Sequence, residues 1–249
     1  MTASPTPATP LSLELLGGIE LRGIETAAAE RVLVQPKLVA LLVYLALAGS
    51  ARRYQRRDHL VALLWPELDQ AHSRTALRKA VHFIRGAVGS EMLLSRGDEE
   101  IALAEGAVTC DALEFVTHVE AGRLARAMDL YRGDLMPGFH LSGCADFERW
   151  LDDQRNDLRE RAGGTALALA QMFEKDSSYT IATKWARRAA RFSWDDERVL
   201  RRAVSLMDRA GDRSGALRLY DEFAERLKAD FGAEPSPETT ALIRRMRPG

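Results

Sequence analysis

The chain has 249 residues, 46% of them hydrophobic and 29% charged, with a formal net charge of -1 at pH 7. At about 150 residues per domain this predicts one to two domains, and the composition excludes a disordered chain, a collagen and a disulfide scaffold. The longest apolar run, 38–49, is too short to span a bilayer. The uncharged Thr/Pro/Ala-rich start has neither the basic nor the apolar segment of a signal peptide. A cytoplasmic protein with a disordered tail over 1–10 is therefore expected, with Cys110 and Cys144 as reduced packing residues.

Leu11-Ser-Leu-Glu-Leu-Leu alternates apolar and polar residues before Gly17-Gly18, and Ile19-Glu-Leu-Arg follows. This reads as two short strands about a glycine turn, with Val32-Leu-Val34 as a candidate third strand. Pro36 at a first helical position opens a helix whose Leu38, Leu41, Leu42 and Leu45 form a core stripe, ended by Gly49-Ser50. A second helix is predicted over 56–65, stopped by Pro66, and a third from 69 or 70 to 88. Met92-Leu-Leu-Ser, Arg96-Gly97-Asp98 and Ile101-Ala-Leu-Ala then read as a hairpin with a charged tip. Strands, three helices and a hairpin in that order predict a winged helix-turn-helix with an N-terminal sheet over 11–106.

From Cys110 onward strand signals stop. Helices are predicted over 111–120, 123–132, 144–175 (with a candidate break at Gly163-Gly164), 178–191, 195–210, 213–231 and 236–246. The last carries Ser236 as N-cap and Pro237 at N1. Ala182 and Ala216 lie 34 residues apart, the tetratricopeptide period, each with a bulky residue three positions on (Trp185, Leu219). The class expected is mainly α: a winged helix-turn-helix, then an all-α tetratricopeptide-like domain over 107–249.

Charge is unevenly spread. Within 50–89 there are eight basic residues (Arg52, Arg53, Arg56, Arg57, Arg74, Arg78, Lys79, Arg85) against three acidic ones (Asp58, Glu67, Asp69). Such an excess points to a polyanionic partner. At 100° per residue, Leu77, Val81, Ile84 and Val88 of the third predicted helix share a narrow apolar stripe, with Thr75, Lys79 and His82 opposite, His72 and Arg78 near them, and Arg74 and Arg85 on the flank. These are donors of the kind that reach base edges and phosphates in a major groove. Arg96 at the hairpin tip is either a wing contact or a plain turn charge. Arg52 and Arg53 lie in a basic cluster suited to phosphate at a helix N-terminus or simply to solubility.

Leu130-Tyr-Arg-Gly-Asp-Leu-Met-Pro-Gly-Phe-His-Leu141, with Phe147-Glu-Arg-Trp-Leu151 and Glu234-Pro-Ser-Pro-Glu-Thr239, closely resembles the bacterial transcriptional activator domain of regulators of the Streptomyces antibiotic regulatory protein type. Residues 57–69 and 76–85 look like the matching winged helix. The resemblance implies sequence-specific binding to double-stranded promoter DNA, transcription activation, and homodimers on direct repeats. It also implies a loop facing RNA polymerase or its sigma subunit, here Trp65-Pro66-Glu67-Leu68-Asp69, with Glu67 and Asp69 toward basic polymerase surface and Trp65 as a core anchor. There is no G-x-x-x-x-G-K-[ST] loop or room for an ATPase module, and no receiver domain, so neither nucleotide nor phosphoacceptor control is expected.

No enzyme is expected: the five histidines and two cysteines lack metal-ligand spacing, and no nucleophile-elbow, dinucleotide or zinc-protease motif occurs. No cofactor, no metal and no membrane partner are expected either. The alternative is a protein–protein scaffold that uses the helical repeats and has weak or lost DNA binding.

Overall fold

A computed structural model describes residues 10–49 and 53–247. The tail expected over residues 1–10 lies, but for Pro10, outside the described residues. By internal contacts the chain forms two compact units, one of residues 1–115 and 130–155, the other of 116–129 and 156–249.

The first unit begins with β1 (Leu11–Glu14) and β2 (Glu20–Arg22), antiparallel about the glycine turn, with Ser12 opposite Arg22. Residues Thr26–Leu33 form helix α1, so the strand expected at 32–34 is not there. Three alanines and Glu30 favour helix, and Val32 joins Ala28 and Ala29 on one buried face, a spacing only a helix supplies. Helix α2 (Pro36–Ala48) is buried almost all round, which is why its apolar run is nearly continuous. Next come β3 (Gln55–Arg56), α3 (Arg57–Leu64) and α4 (Gln70–Val88), then the hairpin β4 (Leu93–Arg96) and β5 (Glu100–Leu103). The expected third helix is thus the fourth. Strand β5 lies between β3 and β4, and Gly97 takes φ +56° at the hairpin tip.

A strand absent from the sequence reading, β6 (Val108–Cys110), pairs in parallel with β1, Leu11 opposite Val108. The boundary drawn at 106/107 therefore does not follow the compact units. Helix α5 (Asp111–Glu120) starts at a buried carboxylate: Asp111 accepts from the N–H groups of Leu15 (2.8 Å) and Leu16 (3.0 Å). Burial pushes this carboxyl above the usual range, against those bonds and the nearby Arg132.

The segment Leu130–Leu141 runs against the end of β1. Leu16 bridges Leu135, Met136 N–H donates to Leu15 O at 2.8 Å, and Gly17 N–H donates to Asp134 O at 3.0 Å. Gly17 and Gly133 touch backbone to backbone, so a Cβ on Gly133 would sit 3.0 Å from Gly17 Cα. Arg155 closes the segment from below. Its guanidinium donates to the carbonyls of Leu135 (3.0 Å), Met136 (2.8 Å) and Phe139 (2.9 Å).

The second unit is helical: α6 (Leu124–Leu130, ending in the first unit), most of α7 (Ala145–Lys175), α8 (Tyr179–Phe192), α9 (Glu197–Arg209), α10 (Arg213–Phe231) and α11 (Pro237–Met246). Helix α7 continues without a break through Gly163-Gly164. A Cβ on Gly163 would meet Ser193 Oγ, so this glycine lets the α8–α9 turn come close. Ala182 and Ala216 occupy fully buried small-residue slots, packed respectively among Ala170, Ala186 and Ala203 and among Leu200, Val204 and Met207. Helix α11 is docked by its N-cap: Glu197 accepts from Ser236 N–H and from the hydroxyls of Ser236 and Thr239, while Arg201 donates to Thr239 Oγ1 at 2.9 Å. No single helix among the described residues is long and apolar enough to cross a membrane.

Candidate nucleic-acid interface

Helix α4 is fixed at both ends and along one side. Asp69 caps its first turn, accepting from Ala71 and His72 N–H at 3.0 Å each. Ser73, Leu77, Ala80, Val81 and Ile84 are buried and seat the helix on the core, while Val88 is only half-buried. The opposite face is exposed and carries His72, Arg74, Thr75, Arg78, Lys79 and His82.

These side chains are not equally free. His72 Nδ1 lies 2.7 Å from Asp69 Oδ2, Arg74 pairs with Asp58 at 2.9 Å, and the Thr75 hydroxyl donates to Ala71 O at 2.9 Å. The N–H of His72, then its ring, pulls the Asp69 carboxyl below its ordinary value. Arg78, Lys79 and His82 have no hydrogen bond or ion pair among the described residues. Their i, i+1, i+4 spacing on one exposed face leaves three donors for an external acceptor.

The hairpin is tied to this helix. Arg85 donates through Nε and Nη2 to Leu93 O (3.2 and 2.7 Å) and through Nη2 to Ser95 Oγ at 3.1 Å. Arg57, at the first position of α3, reaches the same Ser95 Oγ at 3.2 Å. Its buried Nε has no partner, which is costly for a guanidinium. Burial holds Arg57 below its ordinary pKa; Asp98 opposes that shift, and Arg85 and Arg78 add to it. A cleft at this junction has Arg57, Arg74 and Arg78 among its walls, with Asp58, Asp98 and Glu99 facing them.

At the wing, Arg96 stacks over the Tyr54 ring, 3.8 Å from its centroid, and pairs with Glu100 at 3.3 Å. Arg53 is exposed and pairs with Glu105 at 3.2 Å; Arg52 lies outside the described residues. Sequence reasoning missed Arg57 and Arg85 as site residues. They appear there only as members of a basic cluster and a flank, and their meeting at Ser95, 38 and 10 residues away, has no local signature.

In the α3–α4 loop Trp65 is buried, with Lys37 Nζ 5.6 Å from its ring centroid. Glu67 is ion-paired with Lys37, which draws its carboxyl below the usual range. Pro66 and Leu68 are exposed. Among the described residues no group of three or more His, Cys, Asp and Glu side chains could hold a metal.

A capped helix presenting free donors beside a tethered β-wing, with helical repeats in the same chain, defines the architecture of a winged-helix regulator. The chain belongs to the bacterial transcriptional activator domain family, whose sequence pattern matches residues 114–247, more than half of its length. That family is one of transcriptional regulators. A structure of Mycobacterium tuberculosis EmbR in complex with a low-affinity phosphopeptide shares the fold, with a TM-score of 0.54 at 20% identity. The match covers 95% of this chain and 64% of the EmbR chain, so this chain spans less than two thirds of that protein. No curated protein sequence matches.

Proposed function

We propose that this protein is a sequence-specific DNA-binding activator of transcription, acting in the cytoplasm without a cofactor or catalytic activity. Residues 11–106 act as the DNA-binding part and 107–249 as the activator part. The observation that carries the reading is the trio Arg78, Lys79 and His82, exposed and without a partner among the described residues, on a helix whose other face is locked into the core. A major groove admits one such helix, and Arg or Lys there reads guanine O6 and N7. Arg74, Thr75 and His72 lie within reach of the same groove once their internal partners are exchanged. Arg53, Arg96 and the neighbouring Arg52 take flanking phosphate or the minor groove. The exposed Pro66 and Leu68, flanked by Glu67 and Asp69 with Trp65 as anchor, face RNA polymerase or its sigma subunit, and two copies bind side by side on direct repeats.

Selection of fragmented genomic DNA on the purified chain at near-physiological salt, with Lys79→Ala alongside, tests this. Salt is fixed because phosphate contacts make affinity fall steeply with it. Enrichment of a few promoter fragments sharing a repeated motif, lost in the folded variant, is expected. Wild-type selectivity in Lys79→Ala and His82→Ala would remove α4 as the reading helix. No enrichment by the folded wild type would refute DNA recognition altogether.

A further inference from the structure

The hairpin β4–β5 is held in ways that differ in kind. Leu93 and Ile101 are buried and seat its base in the core, but apolar packing carries no direction. Strand β5 is tied toward α3: Gln55 pairs with Ile101, and Arg57 N–H donates to Glu99 O at 2.8 Å. Strand β4 is the outer strand of this sheet, and its polar link to α4 is Arg85. Both Nε and Nη2 of Arg85 donate to Leu93 O, and Nη2 also donates to Ser95 Oγ. Among the described residues no other side chain of α4 is hydrogen-bonded to the hairpin.

Arg85 follows Arg78 two turns further along α4. At 100° per residue the two lie about 20° apart, and the helix rises about 10 Å between them. The anchor of the hairpin is therefore at the edge of the exposed face, in line with Arg78. The other end of the fork, Ser95, directly precedes Arg96, whose guanidinium lies over the Tyr54 ring. One continuous set of directional links runs from α4 through Arg85 and Ser95 to Arg96.

We infer that Arg85 is a positioning residue that sets flanking specificity. It fixes the offset between the bases read by Arg78, Lys79 and His82 and the neighbouring groove or phosphate reached by Arg96, without touching DNA itself. Its donors are turned onto β4, and it is half-buried where the reading trio is exposed. Without the fork the hairpin stays attached on its β3 and α3 side and tilts against α4. The groove that Arg96 meets then varies from one encounter to the next. A lysine there cannot span Leu93 O and Ser95 Oγ as a planar guanidinium does. The inference deepens the proposed function and rests on it for its DNA consequence alone.

Two measurements on the full chain test it. Nitroxide labels on Gln70→Cys and Asp98→Cys, both exposed, report the distance from the start of α4 to the hairpin tip by pulsed electron resonance. Cys110 and Cys144 are buried and stay unlabelled. A narrow distribution is expected in the labelled parent and with Ser95→Thr, and a broad one with Arg85→Met or Ser95→Ala. Selection from random duplexes is the second measurement. Arg85→Met should keep the central preference that Lys79→Ala alters, lose the flanking preference, and bind about fivefold or more weakly. Because Arg85 acts through Arg96, adding Arg85→Met to Arg96→Ala should cost no further affinity. Circular dichroism checks folding, and the exposed Ser95→Ala carries both measurements if Arg85→Met does not fold. An unchanged distance distribution overturns the inference. So do additive losses for Arg85→Met and Arg96→Ala, because Arg85 would then contact DNA directly. If the labelled parent selects no duplex, the proposed function itself falls; the distances, which need no DNA, tell that failure from a failure of Arg85 to hold the hairpin.

Discussion

Arg155→Ala should destabilise the first unit more than any other single truncation outside its apolar core. The side chain is 17% exposed and gives three hydrogen bonds to the carbonyls of Leu135, Met136 and Phe139, all between 2.8 and 3.0 Å. Hydrogen bonds to a charged donor contribute about 1.5–3 kcal/mol each. Phe139 is only half-buried and water can replace its bond, whereas Leu135 and Met136 are fully buried. Two costly losses and one mild one give about 3–5 kcal/mol. The Asp152 partner is exposed and adds little. Against a total of about 5–15 kcal/mol for a domain, that is a large fraction. Urea unfolding followed by the fluorescence of Trp65 and Trp150, both in this unit, should show a midpoint lower by about 1.5–2.5 M at a slope of about 2 kcal/mol/M. Arg155→Lys should recover about a third, since an ammonium cannot fork across three carbonyls. A loss below about 1 kcal/mol with unchanged slope would refute the reasoning. Leu135 and Met136 would then be held by packing alone.

Gly133→Ala brings a Cβ to 3.0 Å from Gly17 Cα, a backbone atom that cannot rotate away; a cost of about 1–3 kcal/mol is expected in the same urea assay, and wild-type stability would show that the strap shifts freely. Arg57→Ala should weaken binding to all DNA sequences alike and reduce the salt slope by about 1, while Lys79→Ala alters sequence preference; unchanged salt dependence would place Arg57 outside the interface. Asp58→Asn should strengthen DNA binding by releasing Arg74 from its 2.9 Å pair, and equal or weaker affinity in a titration at fixed salt would count against that restraint. Burial alone would raise the Glu197 carboxyl, but the hydroxyls of Ser236 and Thr239, Ser236 N–H and Arg201 overcome it and hold the group below its ordinary 4.5. Its contribution is therefore complete above that value and is lost as pH falls through the folded pKa. Hydrogen exchange of α11 amides should quicken in acid for wild type and lose that dependence in Glu197→Gln; identical profiles would show that the network does not dock α11.

Where a single local rule governs, the sequence is a sufficient guide. Pro36, Pro66, Asp69 and Ser236 mark helix boundaries that the structure keeps within a residue or two, because caps and proline act on neighbouring backbone. Val32-Leu-Val34 misleads because three β-branched or large apolar residues suit either period, and the alanines before them decide. β6 is invisible for a different reason. Three residues, Val108–Cys110, form a strand only because β1, nearly a hundred positions earlier, presents a free edge. The exposed face of α4 follows from angular counting, whereas the inequality within it does not. That Arg74 is held by Asp58 and Lys79 is free depends on α3 crossing α4, a tertiary fact.

The meeting of β1 with residues 108–110 and 130–136 bears on how such chains can be cut and recombined. A fragment ending near residue 106 would leave the buried Leu11, Leu13, Leu15 and Leu16 without β6, without the Asp111 carboxylate and without the strap that covers them. The winged-helix part is therefore not a cassette transferable at a linear junction. A grafted version has to carry its covering segment from far downstream, or arrive with an open sheet edge that invites aggregation.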